Sequence, residues 1–230
     1  MALKETMETL VIQKVSIVLP LYMEDHDIKD KILKGAEELF MKYGARSISM
    51  DDIARHLSVS KKTLYQHFAD KDTLISELCR HDFREFATHF ARAAAFEDPV
   101  ERLRASGRAY FEFASEFPQH YRLMFMAARP EVMPEDGEEN DPAQNAYVFL
   151  HATVEDAIEK GLFRPEISDA GLASQTIWAA THGVASLEIA FGHQKGWVQW
   201  LPLERRQEML IDSILRGMLR DPDKYLGKGG

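Results

Sequence analysis

The sequence predicts an all-α chain with a small three-helix head and a larger helical body, and three observations carry that expectation. Apolar residues recur every three or four positions in segment after segment, the spacing of one face of an α-helix. Helix-capping residues and prolines fall at the starts of those segments, at Ser49, Ser60, Asp70 and Pro99. No strand-rich segment and no internal repeat interrupts them.

Composition narrows the class further. At 230 residues the chain holds one large domain or two small ones, and 45% hydrophobic residues suffice for a buried core. The one cysteine, Cys79, excludes an intramolecular disulfide and fits a reducing cytoplasm. It reads as a plain helix residue rather than a redox sensor, since no second thiol exists to resolve an oxidised sulfur. The net charge of −9 argues at first against a polyanionic partner. Its distribution reverses that: residues 27–80 carry 10 Lys+Arg and 9 Asp+Glu, leaving 18 basic and 28 acidic residues elsewhere. A near-neutral head on an acidic body can bind DNA through a small footprint without adhering to it everywhere.

Residues 1–26 read as a flexible or strand-like tail. Their apolar patch from Leu10 to Leu19 is too short and mixed to span a bilayer, and Glu5 and Glu8 spoil the basic start of a signal peptide. The head proper is expected over 27–75. Its first helix begins at Asp27, carries the stripe Ile32, Leu33, Ala36, Leu39 and Phe40, and stops at Gly44. Ser49 followed by Asp52 approximates a capping box and starts a second helix near Met50, with Ile53, Ala54 and Leu57 on one face. Val59 lies in a tight turn, Ser60 caps a third helix bearing Leu64, Tyr65 and Phe68, and Asp70 caps a fourth. Helices this short are not stable alone, so the second and third must lean on the first. The polar residues left outward on the third, Lys61, Lys62, Thr63, Gln66 and His67, suit a recognition helix offered to the major groove of DNA.

The body is expected over 76–225. A long helix from Lys71 carries Leu74, Leu78, Phe83, Phe86 and Phe90. Another starts at Pro99 with Leu103, Tyr110, Phe111, Ala114 and Phe117, and Pro118 breaks it before the dense apolar run Tyr121 to Met126. Residues 130–142, with three prolines and six carboxylates, read as a solvated loop without the ligand spacing of a calcium hand. Helices follow over about 142–160, from Ser168 to about Gly192, and over about 202–219.

The stretch Asp51–Leu74, DDIARHLSVSKKTLYQHFADKDTL, resembles the helix-turn-helix of the TetR/AcrR family of bacterial transcription regulators, most densely at Val59 to Tyr65, Phe68 and Lys71. In the body, Tyr121-Arg122-Leu123-Met124-Phe125 and Trp178-Ala179-Ala180-Thr181-His182-Gly183 resemble the Trp-His-Gly type of C-terminal domain found in part of that family. The resemblance implies a helix-turn-helix DNA-binding domain followed by a helical ligand-binding and dimerisation domain. It implies that Thr63, Tyr65 and His67 reach phosphates or base edges, that Lys71 grips a backbone phosphate, and that Lys61 and Lys62 lie where base contact is easiest. Arg46 and Ser49 are further phosphate candidates, although Ser49 is first a cap. Lys62 reads guanine or merely neutralises phosphate, and Lys62 and Gln66 are weighed against plain solvated helix residues.

For the body, the resemblance implies a homodimer formed by the last two helices and a cavity for a small-molecule effector. Phe111, Tyr121, Phe125, Tyr147, Trp178 and His182 are the candidate lining, each weighed against simple core packing. Gly183, costly inside a helix, points to a close helix contact near the dimer seam. The implied function is a repressor released from operator DNA by an apolar effector, in the cytoplasm, with no cofactor, no metal and no membrane partner. No zinc-peptidase signature, Gly-rich phosphate loop or nucleophile elbow supports an enzyme, and His81, His89, His120 and Met124 show no metal-ligand spacing.

Overall fold

The computed structural model describes residues 27–127, 141–143, 145–192 and 198–227. The tail 1–26 and nearly all of the 130–142 loop lie outside the described residues. The chain divides into two compact units that part between Leu78 and Cys79.

In the first unit, α1 spans 27–43, so Asp27 already lies within the helix. A short 3₁₀ turn, Ala45–Ser47, leads to α2, Met50–Leu57, and then α3, Lys61–His67. Ile32, Ala36 and Phe40 of α1, Ile53 and Ala54 of α2, and Leu64 and Phe68 around α3 are buried together with Leu74, Ile75 and Leu78 of α4, Lys71–Thr88. Short helices form here because each start is capped. Ser49 and Asp52 make a full capping box, and the Ser60 hydroxyl accepts from the Thr63 amide. Gly35 lets α1 and α2 approach closely, since a Cβ there would fall 2.3 Å from Leu57 Cδ2. The turn between α2 and α3 goes beyond the sequence pattern: Ser58 closes α2 in the left-handed region at φ 54, and the Val59 amide donates back to the Ala54 carbonyl at 3.0 Å. This helix ending usually takes glycine; a serine there costs about 1–2 kcal/mol and turns the chain sharply into α3.

The second unit takes the rest of α4 and seven further helices among the described residues. They are α5 (Ala91–Ala94), α6 (Pro99–Glu116), α7 (Pro118–Arg122), α8 (Ala146–Glu159), α9 (Ala170–Phe191), α10 (Leu203–Met218) and α11 (Pro222–Leu226). The expected starts at 142 and 168 are corrected: α8 begins four residues later because Asn145 caps it, and α9 begins two later because Asp169 does. A π-turn, Leu123–Ala127, continues α7. Two cores fill the unit. One joins Phe86, Phe90, Tyr110, Phe111, Phe113, Tyr121, Met124 and Ile189; the other joins Val100, Leu103, Val154, Phe163, Ile211, Leu215 and Leu219. Ion pairs Arg102–Asp156 and Arg206–Glu188 tie α6 to α8 and α10 to α9. No helix among the described residues is long and apolar enough to cross a membrane.

Candidate nucleic-acid interface and ligand site

Helix α3 is anchored inward by Leu64 and Phe68, so its other residues are presented in a fixed order around the helix. Lys61, Lys62, Tyr65 and Gln66 are exposed, Tyr65 at 49% despite its large ring, while Thr63 and His67 are half-buried. The candidates differ in how much of their bonding capacity is already used. Lys61 Nζ lies 2.5 Å from Asp51 Oδ2, and Thr63 Oγ1 lies 2.8 Å from Ser60 Oγ. Lys62 and Gln66 project with no such partner among the described residues. Arg46 is exposed on the 3₁₀ turn before α2.

Two sequence candidates for phosphate contact, Lys71 and Ser49, also bond within the protein. Lys71 Nζ donates to the backbone carbonyls of Ala45 at 2.6 Å and Ile48 at 2.7 Å, which uses two of its three N–H bonds inside the protein. Its ammonium thus staples the turn that carries Arg46. Ser49 spends both its donors on Asp52, through the amide at 3.0 Å and the hydroxyl at 2.5 Å. The same bonds hold the Asp52 carboxyl below its ordinary pKa.

In the body, Tyr121, Phe125 and His182 come together, and the partner that sequence reading left as a core stripe residue is Tyr110. The Tyr121 hydroxyl lies 2.6 Å from His182 Nδ1, the Tyr110 hydroxyl lies 3.2 Å from the same nitrogen, and the two hydroxyls are 2.9 Å apart. Burial holds His182 below its ordinary pKa and keeps the ring neutral. With Nδ1 bare, Tyr110 can donate to Tyr121 and Tyr121 to His182, so both phenolic protons are used. A proton on Nδ1 would leave one of the two hydroxyls without an acceptor in the cluster. Burial also pushes Tyr110 up to about 12 and raises Tyr121 further, so both remain phenols. The signal for Tyr110 was its hydroxyl, since a tyrosine in an apolar stripe needs a partner.

The six candidates differ in burial and in their neighbours. Tyr121 is fully buried and Phe111, 1% exposed, meets only Tyr110 among the described ring contacts. Both are buried in the first of the two cores of this unit. Tyr147 and Trp178, with ring centroids 5.8 Å apart, line an open depression together with Gln175 and Ala179, neither of which was a candidate lining residue. Behind Trp178, Phe125 stands 5.5 Å from the His182 ring. The Cys79 thiol, pushed up to about 12 by burial and the nearby Asp82 carboxylate, stays protonated at neutral pH.

Comparison with known proteins bears on both units. Residues 32–78 match the family described as bacterial regulatory proteins, tetR family, and residues 103–213 match that described as tetracyclin repressor-like, C-terminal domain. The second match spans the residues that carry the Trp-His-Gly pattern. The HTH-type transcriptional activator FasR of Mycolicibacterium smegmatis is 35% identical over 98 residues, 42% of this chain and 45% of FasR, so the likeness spans less than half of that relative. Among solved structures, the TetR family transcriptional regulator PfmR of Thermus thermophilus superposes with a TM-score of 0.57 at 25% identity, covering 82% of this chain and 99% of PfmR. A complex of SmeT with triclosan has a TM-score of 0.58 at 16% identity over 85% of this chain and 93% of SmeT, a likeness of fold alone.

Proposed function

Because the chain belongs to the TetR family of bacterial regulatory proteins, we propose that it is a homodimeric DNA-binding transcriptional regulator of the cytoplasm, a repressor released from its operator by a small apolar effector. The observation that carries this reading is α3, a capped helix pinned by Leu64 and Phe68 that turns Lys62, Tyr65 and Gln66 outward. Residues 27–75 are the DNA-binding domain. Within it Arg46, Lys61, Thr63, Tyr65 and His67 meet phosphate, while Lys71 and Ser49 act mainly by holding the Arg46 turn and the start of α2. Lys61 exchanges Asp51 for phosphate at little cost, because an exposed ion pair is worth only about 0–1 kcal/mol.

Residues 76–225 bind the effector and dimerise. The exposed apolar residues Leu172 and Leu187 of α9 and Met209 of α10 support pairing of these two helices with their symmetry mates as a four-helix bundle. A Cβ at Gly183 would meet no atom within 4 Å among the described residues, which leaves room there for a partner helix. The effector enters at the depression beside Tyr147 and Trp178 and reaches the aromatic residues behind it. Release follows by population shift: the effector favours the dimer whose recognition helices are wrongly spaced for two successive major grooves. A coupling of roughly 1–3 kcal/mol lowers operator affinity about 5- to 150-fold. A second reading, activation, is favoured by the name of FasR.

Footprinting on the DNA upstream of the protein's own gene tests the core of this reading. Protection is expected, weakening steeply between 50 and 200 mM salt as phosphate contacts require, about 10³-fold or more for six contacts. Absence of protection at the lower salt would contradict it.

A further inference from the structure

We infer that Lys62 and Gln66 are the two side chains that read base sequence, Lys62 a guanine and Gln66 an adenine, an assignment that rests on the DNA-binding reading above. The polar side chains of α3 separate by what they already bond. Lys61 is paired with Asp51, Thr63 is bonded to Ser60, and His67 is half-buried and engaged within the protein. Tyr65 is exposed, but a single hydroxyl that both donates and accepts does not discriminate among base edges. Lys62 and Gln66 are exposed and uncommitted among the described residues, and lie on the face opposite the buried Leu64.

Their spacing matches the ladder of base pairs. Four residues along an α-helix rotate by about 40° net and rise about 6 Å, so both side chains point the same way. At about 3.4 Å per base step, they lie over base pairs roughly two steps apart. Lys62 stands in the first turn of α3, the end of a recognition helix that comes nearest the base edges. The chemistry then selects the bases. An ammonium only donates, and guanine alone offers two acceptors, O6 and N7, in the major groove; a carboxamide donates and accepts at once, which fits adenine N7 and N6. The neighbouring Lys61, its charge offset by Asp51, is left to contribute without sequence preference.

The experiment uses the full chain and a duplex selected by the wild type from a randomised pool, in a fluorescence anisotropy titration of every single-base-pair substitution. Lys62→Ala should abolish discrimination at one G·C pair, a loss of roughly 5- to 140-fold there, and replacing that guanine by 7-deazaguanine should weaken the wild type but not the variant. Gln66→Glu should move the preference at a pair about two steps away from adenine to cytosine, whose N4 amine a carboxylate accepts. That gain cannot arise from misfolding. Equal weakening by Lys62→Ala across all substituted duplexes would reduce Lys62 to phosphate neutralisation and overturn the assignment, as would an unchanged preference in Gln66→Glu. Failure of the wild type to select any duplex would instead overturn the DNA-binding reading on which it rests.

Discussion

A neutral histidine held by two phenols gives the body a pH-dependent stability whose sign follows from burial. His182 sits below its ordinary pKa of 6.5, so the unfolded chain binds this proton more readily than the folded one. The contribution of neutral His182 is complete above about pH 6.5 and is lost as pH falls from there through the lowered folded value. Urea unfolding of the wild type should show stability declining over that window, and His182→Gln should flatten the decline. An identical decline in the variant would assign it to other groups. This cluster was only partly legible in the sequence. Trp178 and His182 share a helix face four residues apart, but Tyr110 and Tyr121 reach His182 across 72 and 61 residues, a distance no local pattern reports. Lys71 shows the same limit: its place at the start of α4 was readable, whereas its bonds to carbonyls 26 and 23 residues earlier needed the folded turn.

At the scale of the element, the most exposed test falls on α9. Leu172, Ala179, Gly183 and Leu187 recur at intervals of four or a near multiple, and a methyl group at Gly183 is free of clashes among the described residues. Gly183→Ala should therefore leave the protomer folded, with about 1 kcal/mol of helix propensity gained. Sedimentation equilibrium should nonetheless show a weakened dimer, because the added methyl occupies the space into which the partner helix packs. Unchanged or tighter dimerisation would place the seam elsewhere. Elements were the most readable scale in the sequence. Ser49 and Ser60 mark the true starts of α2 and α3 because a cap is a local device. The start of α8 was misplaced because Pro142, a good first-turn residue, precedes the real cap at Asn145. The left-handed Ser58 was missed because the residue is not one that ordinarily announces that conformation.

For the whole molecule, the division of charge, near neutral over residues 27–80 and acidic elsewhere, suits the proposed regulator that meets DNA through its first unit and pairs through its second. A symmetric dimer with one recognition helix per protomer requires a symmetric target. Its half-sites must be spaced by about one helical turn of DNA or a multiple of it. The direct measurement is selection of duplexes from a fully randomised pool by the purified full chain, followed by sequencing of the bound fraction. The expected result is enrichment of an inverted repeat with half-sites about 10 base pairs apart, centre to centre, or a whole multiple of that. Enrichment of an unrepeated site, or of no site at all, would contradict a dimeric operator-binding regulator.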